Sequence, residues 1–149
     1  MVCCFFHPTF DRCKLTSKTV AYDTFVGPAA SGTNSFEVMV WLGLYGSVSP
    51  LSANGYPFTP IASPTIGGVV WDLAYGLNGN VKVYSFVSRS RAETNFSGDL
   101  LNFYKYLLAN YASNGFTSNL YLQTIQAGPE VFTGSNAKLT TSAYSIAVN

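Results

Sequence analysis

The chain has 149 residues, of which 10% are charged and 15% aromatic, and its formal net charge is +1. That length fits one domain able to bury a real core. The near-neutral balance excludes the basic field that gathers nucleic acid and the polybasic arm that holds a membrane surface, and no apolar run reaches the roughly 18 residues needed to span a bilayer.

Residues 1–17 open with MVCCFFHPTFDRCKL and read as a disordered tail, leaving a domain over 18–149. The short apolar run is interrupted by His7 and Pro8 and lacks a basic start, so it makes a poor signal peptide. Cys3, Cys4 and Cys13 all lie here. Neighbours such as Cys3 and Cys4 rarely bridge, so at most one ordinary disulfide forms and one thiol is left over. Three cysteines beside His7 fit no standard zinc spacing, and no metal or other cofactor is expected. His7 is also the only histidine. A Ser-His-Asp or Cys-His triad would have to draw it from the tail, which argues against triad chemistry.

From Thr19 the pattern turns β-like. TVAYDTFV alternates and ends at Gly27-Pro28; SFEVMVWLGLY follows. Residues 47–66, rich in Ser, Pro and Gly, read as a long loop. GGVVWDLAYG and VKVYSFVS flank Asn78-Gly79, a strong hairpin signal. In FSGDLLNFYKYLLANYASNGF, Leu100, Phe103, Tyr104, Leu107, Leu108 and Tyr111 recur at helical spacing. Ser97 is the expected N-cap, Asp99 favours the first turn, and Asn114-Gly115 stops the helix. Asn95-Phe96-Ser97, just ahead of it, is an N-glycosylation sequon that matters if the chain is secreted. NLYLQTIQAG and KLTTSAYSIAVN are again strands. Regularly spaced strands with one late helix predict an all-β jelly-roll sandwich with a concave cleft and one α-helix.

In a chain so poor in charge, isolated acids stand out. Strand parity puts Phe36, Val38, Val40 and Leu42 on one face and Glu37, Met39 and Trp41 on the other. The first set can fill a core. The second joins an acid, a thioether and a large aromatic, a sensible lining for a cleft. An edge-strand charge that blocks aggregation would look similar, but Trp41 favours the cleft. Glu130 is also a lone acid among apolar neighbours, a setting that favours the protonated form of a carboxyl group. Two isolated carboxylates among aromatics suggest glycoside hydrolysis, which needs a nucleophile or base and an acid.

These stretches resemble glycoside hydrolase family 12, the endo-β-1,4-glucanases and xyloglucanases. The family's nucleophile motif, Glu-(Val/Ile/Leu)-Met-(Ile/Val)-Trp, is similar to Glu37-Val38-Met39-Val40-Trp41. Its acid/base motif, Ala-Gly-Thr-Glu-Pro-Phe, resembles Ala127-Gly128-Pro129-Glu130-Val131-Phe132. Ala21-Tyr22-Asp23, VYSFV at 83–87, TNFSGDL at 94–100 and residues 132–149 also look like the family. The likeness runs from about Val20 to Asn149 and is greatest to secreted xyloglucan-type enzymes of oomycetes. It implies a retaining mechanism with Glu37 as nucleophile, Glu130 as acid/base and Asp23 as helper of the nucleophile. It also implies that Met39, Trp41 and Phe132 line the substrate cleft, that no metal is used, and that the protein acts outside the cell.

The departures carry their own expectation. Pro129 and Val131 stand where the family has Thr and Pro, and proline removes a backbone donor just before Glu130. Residues 1–17 resemble none of the family's opening strands, signal peptide or N-terminal disulfide. A truncated paralogue is therefore expected, with weak or absent hydrolysis because part of the glucan-binding surface is missing. Its expected role is a binding decoy that occupies a host proteinaceous glucanase inhibitor, or a cell-surface receptor, and shields an active relative. The alternative is an active retaining endo-β-1,4-glucanase that hydrolyses xyloglucan or β-glucan.

Overall fold

The computed structural model describes the backbone of residues 2–10, 15–134 and 139–148, and the side chains of 17–134 and 140–148. The chain forms two sheets. Strands β4 (Thr65–Ile66), β5 (Val69–Asn78), β6 (Val81–Ser88), β3 (Phe36–Tyr45), β2 (Leu15–Gly27) and β8 (Tyr121–Gly134) lie side by side in that order. Strands β7 (Phe96–Asp99), β1 (Val2–Phe10) and β9 (Leu139–Val148) form the second sheet. All pairings are antiparallel except β3 with β6.

Alternation decides what each face of the large sheet buries. Phe36, Val38, Val40 and Leu42 point inward as parity requires, and meet Val20 and Tyr22 from β2, Trp71 and Leu73 from β5, and Tyr84 and Phe86 from β6. Helix α1 (Leu101–Asn110) closes this core with Phe103 and Leu107. Phe103 packs edge-on against Trp71 and Phe86, with ring centroids 5.1 and 5.0 Å away. Burial of each such side chain stabilises the fold by roughly 1.5–3 kcal/mol. On the next turn position the Tyr104 hydroxyl donates to Thr24 Oγ1, which donates to the Val38 carbonyl at 2.8 Å. The helix is therefore tied to β2 and β3 by hydrogen bonds as well as by packing.

Three expectations need correction. The segment expected to be a tail carries β1, which pairs with both β7 and β9. VCCFFHPTF is apolar and aromatic enough to form a strand, and Pro8 is accommodated at a register shift between His7 and Pro8. The expectations for Cys13 and for the side chains of Cys3, Cys4 and His7 lie outside the described residues. Ser97 is not the N-cap; it is exposed within β7, and the helix begins after Leu100 without a side-chain cap. Asp99 serves that end instead, its Oδ1 accepting the Leu101 N–H at 3.0 Å. At the other end the helix stops at Asn110, and a 3-10 turn (Ala112–Asn114) runs on to Gly115 at φ 92°. Glycine reaches that left-handed conformation without the steric cost of a Cβ. The hairpin at Asn78-Gly79 forms as read, with Gly79 at φ 59°. No helix of the described residues is long and apolar enough to cross a membrane.

Candidate active site

The face of the large sheet opposite the core carries the acids. Glu37 and Met39 of β3 point there by the same alternation that sends Val38 inward. Across the β2–β3 ladder Asp23 lies opposite Met39, and across the β2–β8 ladder it lies opposite Gln126. Glu130 lies further along β8, opposite Thr19. Three neighbouring strands thus deliver Glu37, Asp23 and Glu130 to one cavity of about 480 Å³, with Met39, Gln126 and Thr19 also in its wall. That volume lies within the usual range of small-molecule sites.

The three carboxyls differ in setting. Glu37 is buried, Asp23 half-buried and Glu130 exposed. The apolar shielding expected around Glu130 is therefore absent among the described residues. Burial, then the negative charge of Glu37, then that of Glu130, pushes Asp23 up to about 7, against a hydrogen bond from the Thr24 backbone. One of its oxygens, Oδ1, is buried with no hydrogen-bond partner among the described residues. Glu37 is also raised, first by burial and then by Glu130, while a hydrogen bond from Asn78 opposes the shift. Like charges confined together resist full ionisation. Burial and the neighbouring negative charges thus raise the proton affinity of Asp23 and of Glu37.

Other candidates fall differently. Trp41 is only 4% exposed and packs with Ala21 and Val87. Its Nε1–H donates to the Met39 sulfur at 3.3 Å, so it supports a wall residue from behind. Phe132 is 52% exposed and lies outside the cavity lining. Asn95 is exposed and precedes β7 rather than the helix. Asp72, another acid of this sheet, is taken up by Arg89 at 2.7 Å and by Ser63. Burial works against its charge, but those bonds hold it below the usual carboxylate range. Among the described residues no group of three His, Cys, Asp or Glu side chains is arranged to hold a metal ion. Sequence reasoning missed Asn78. It is half of the Asn-Gly hairpin signal, and it also ends β5, whose alternate residues flank the acid face.

Carboxyl groups gathered on the open face of a β-sandwich sheet are an arrangement that glycoside hydrolases use. Residues 10–149 match the profile of glycosyl hydrolase family 12, and the chain belongs to that family. It is 52% identical over 129 residues to xyloglucan-specific endo-beta-1,4-glucanase A of Aspergillus aculeatus, a match covering 87% of this chain and 51% of that protein. It is 49% identical over 130 residues to inactive glycoside hydrolase XLP1 of Phytophthora nicotianae, covering 87% and 52%. The chain thus spans about half the length of the curated relatives it matches. Among solved structures, Trichoderma harzianum endoglucanase 3 superposes with a TM-score of 0.86 at 31% identity, over 99% of this chain and 62% of that one. The likeness read from the motifs and the predicted jelly-roll sandwich both hold.

Proposed function

We propose that the cavity on the large sheet carries out retaining hydrolysis of a β-1,4-linked glucan of the xyloglucan type. One observation carries this reading: carboxyls from β3, β2 and β8 line a single cavity, where the negative charges of Glu37 and Glu130 raise Asp23. Buried Glu37, kept anionic with help from Asn78, attacks the anomeric carbon and forms a glycosyl ester. Glu130 gives its proton to the departing glycosidic oxygen. It then takes a proton from water as that water cleaves the ester. Asp23 carries the shared proton and moderates the charge on Glu37. Met39 forms the cavity wall beside the reacting sugar. The name of the Aspergillus relative supports xyloglucan as the substrate, and the protein acts extracellularly.

A second reading is binding without turnover. The exposure of Glu130 favours it, because a general acid works best when shielded from water. The name of the Phytophthora relative points the same way. In this reading the protein occupies a proteinaceous glucanase inhibitor or a cell-surface receptor and shields an active relative. Reducing-sugar release from xyloglucan and barley β-glucan, compared with Glu37→Gln and Glu130→Gln, separates the two. Release that both substitutions abolish supports hydrolysis and sinks the decoy. No release, combined with capture of a glucanase-inhibitor protein, supports the decoy and removes hydrolysis.

A further inference from the structure

Strand β2 reaches the carboxyl cavity between two irregularities. Its register against β3 shifts between Val20 and Ala21, and its register against β8 shifts between Phe25 and Val26. Asp23 and Thr24 lie in the regular stretch between them. Alternation sends Asp23 into the cavity and Thr24 to the opposite, core side of the sheet, where Thr24 is 3% exposed. A bulge disrupts the ladder locally, so a further clamp on the register has a purpose here.

Thr24 supplies that clamp. Across the β2–β3 ladder it stands opposite Val38, the residue between Glu37 and Met39. Its hydroxyl has a single proton, and Oγ1 lies 2.8 Å from the Val38 carbonyl oxygen, which can only accept. The Thr24 proton is therefore given to Val38, and the Tyr104 hydroxyl on α1 must donate to Oγ1. Burial pushes Tyr104 up to about 12, against the bond to Thr24 and with a smaller push from the charge of Asp23. It stays a donor at any lower pH. On its other side, Thr24 gives its backbone N–H to the Asp23 carboxyl. One residue thus joins the helix, the strand that bears Glu37 and the carboxyl group of Asp23. Nothing in the proposed reaction uses Thr24 or Tyr104.

We propose that Thr24 and Tyr104 are positioning residues for the carboxyl cluster, holding Asp23 and Glu37 in place from the core side of the sheet. Misplacing reacting groups by about 1 Å can cost on the order of a hundredfold in rate, even when the cause lies away from the chemistry. Among the described residues, the titratable groups that act on Asp23 are Glu37 from β3 and Glu130 from β8, and Tyr104 from α1 feels its charge in turn. The inference rests on the proposed reading of the cleft and adds two residues behind it.

The test reads Asp23 and turnover separately, in the full 149-residue chain. In a carboxyl NMR titration, Tyr104→Phe and Thr24→Val should each raise the Asp23 midpoint by about half a pH unit, because the N–H that favours its charged form is no longer held in line. Thr24→Ser keeps the hydroxyl and should titrate as the parent does. On xyloglucan, Tyr104→Phe and Thr24→Val should lower kcat about three- to tenfold with KM unchanged. Leu107→Val loosens the same helix outside this chain of bonds; it should lower the urea midpoint and leave the Asp23 midpoint and kcat as in the parent. If Thr24→Val fails to fold, Tyr104→Phe, which removes one oxygen, decides alone. An Asp23 midpoint unmoved in Tyr104→Phe, or moved equally by Leu107→Val, overturns the positioning role. If the parent releases no sugar, the hydrolysis reading fails, while the Asp23 midpoints still decide whether Thr24 and Tyr104 position the cluster.

Discussion

Asp23 sits where a negative charge is hardest to keep. Its pKa in the folded protein is about 7 against an ordinary value of 3.8, and burial is the largest cause. Between those values the native state holds a proton that the unfolded chain has released. The associated stability is complete below the unfolded value and is lost as pH rises through the folded one. Urea midpoints should therefore fall between about pH 4 and pH 8, and Asp23→Asn should flatten that fall. Parallel curves for the two proteins would exclude Asp23 as the source. The two glutamates contribute unequally, Glu37 before Glu130. In a carboxyl NMR titration, Glu37→Gln should lower the Asp23 midpoint more than Glu130→Gln does; the reverse order would contradict the geometry. Glu37 was legible in the sequence because a lone acid in an alternating strand can be assigned to a face. Asn78 was not, because its Asn-Gly context already explained it as a turn, and its nearness to Glu37 depends on how β5, β6 and β3 assemble.

Helix α1 is held to the sheet both by packing and by a hydrogen bond. Phe103 fills the space between Trp71 and Phe86, so Phe103→Ala should cost about 3–5 kcal/mol in chemical denaturation. Tyr104→Phe removes only the donor to Thr24 and should cost about 1 kcal/mol. A Tyr104→Phe cost as large as that of Phe103→Ala would mean that the hydrogen bond, not packing, holds the helix. The element was readable because six apolar side chains recur at helical spacing. Its start was not, since Ser97 and Asp99 both suit a helix entrance and only the pairing of β7 with β1 takes Ser97 into a strand. Strand β1 escaped for a related reason: Pro8 breaks its pattern, and its partners β7 and β9 lie far along the chain.

At the scale of the molecule, β8 terminates the large sheet. It bears exposed Tyr121, Val131 and Phe132, and no strand pairs with its outer edge among the described residues. Unpaired strand edges with apolar side chains favour edge-to-edge association. Light scattering at rising concentration should show less association for Val131→Lys than for the parent; equal association would place the contact elsewhere.

The same strand order has a consequence for assembly in time. Asp23 and Glu37 lie on an antiparallel pair joined by a short connection. Glu130 reaches them through pairing of β2 with β8, about a hundred residues further along the chain, a closure with a larger entropic cost. During synthesis two acids of the cluster can meet early, while the third arrives only after nearly the whole chain has been made. Docking of β8 therefore completes the carboxyl cluster and brings the Asp23 proton to its final affinity. A refolding experiment that follows proton uptake would register that docking, because Glu130 then joins the charges that raise Asp23.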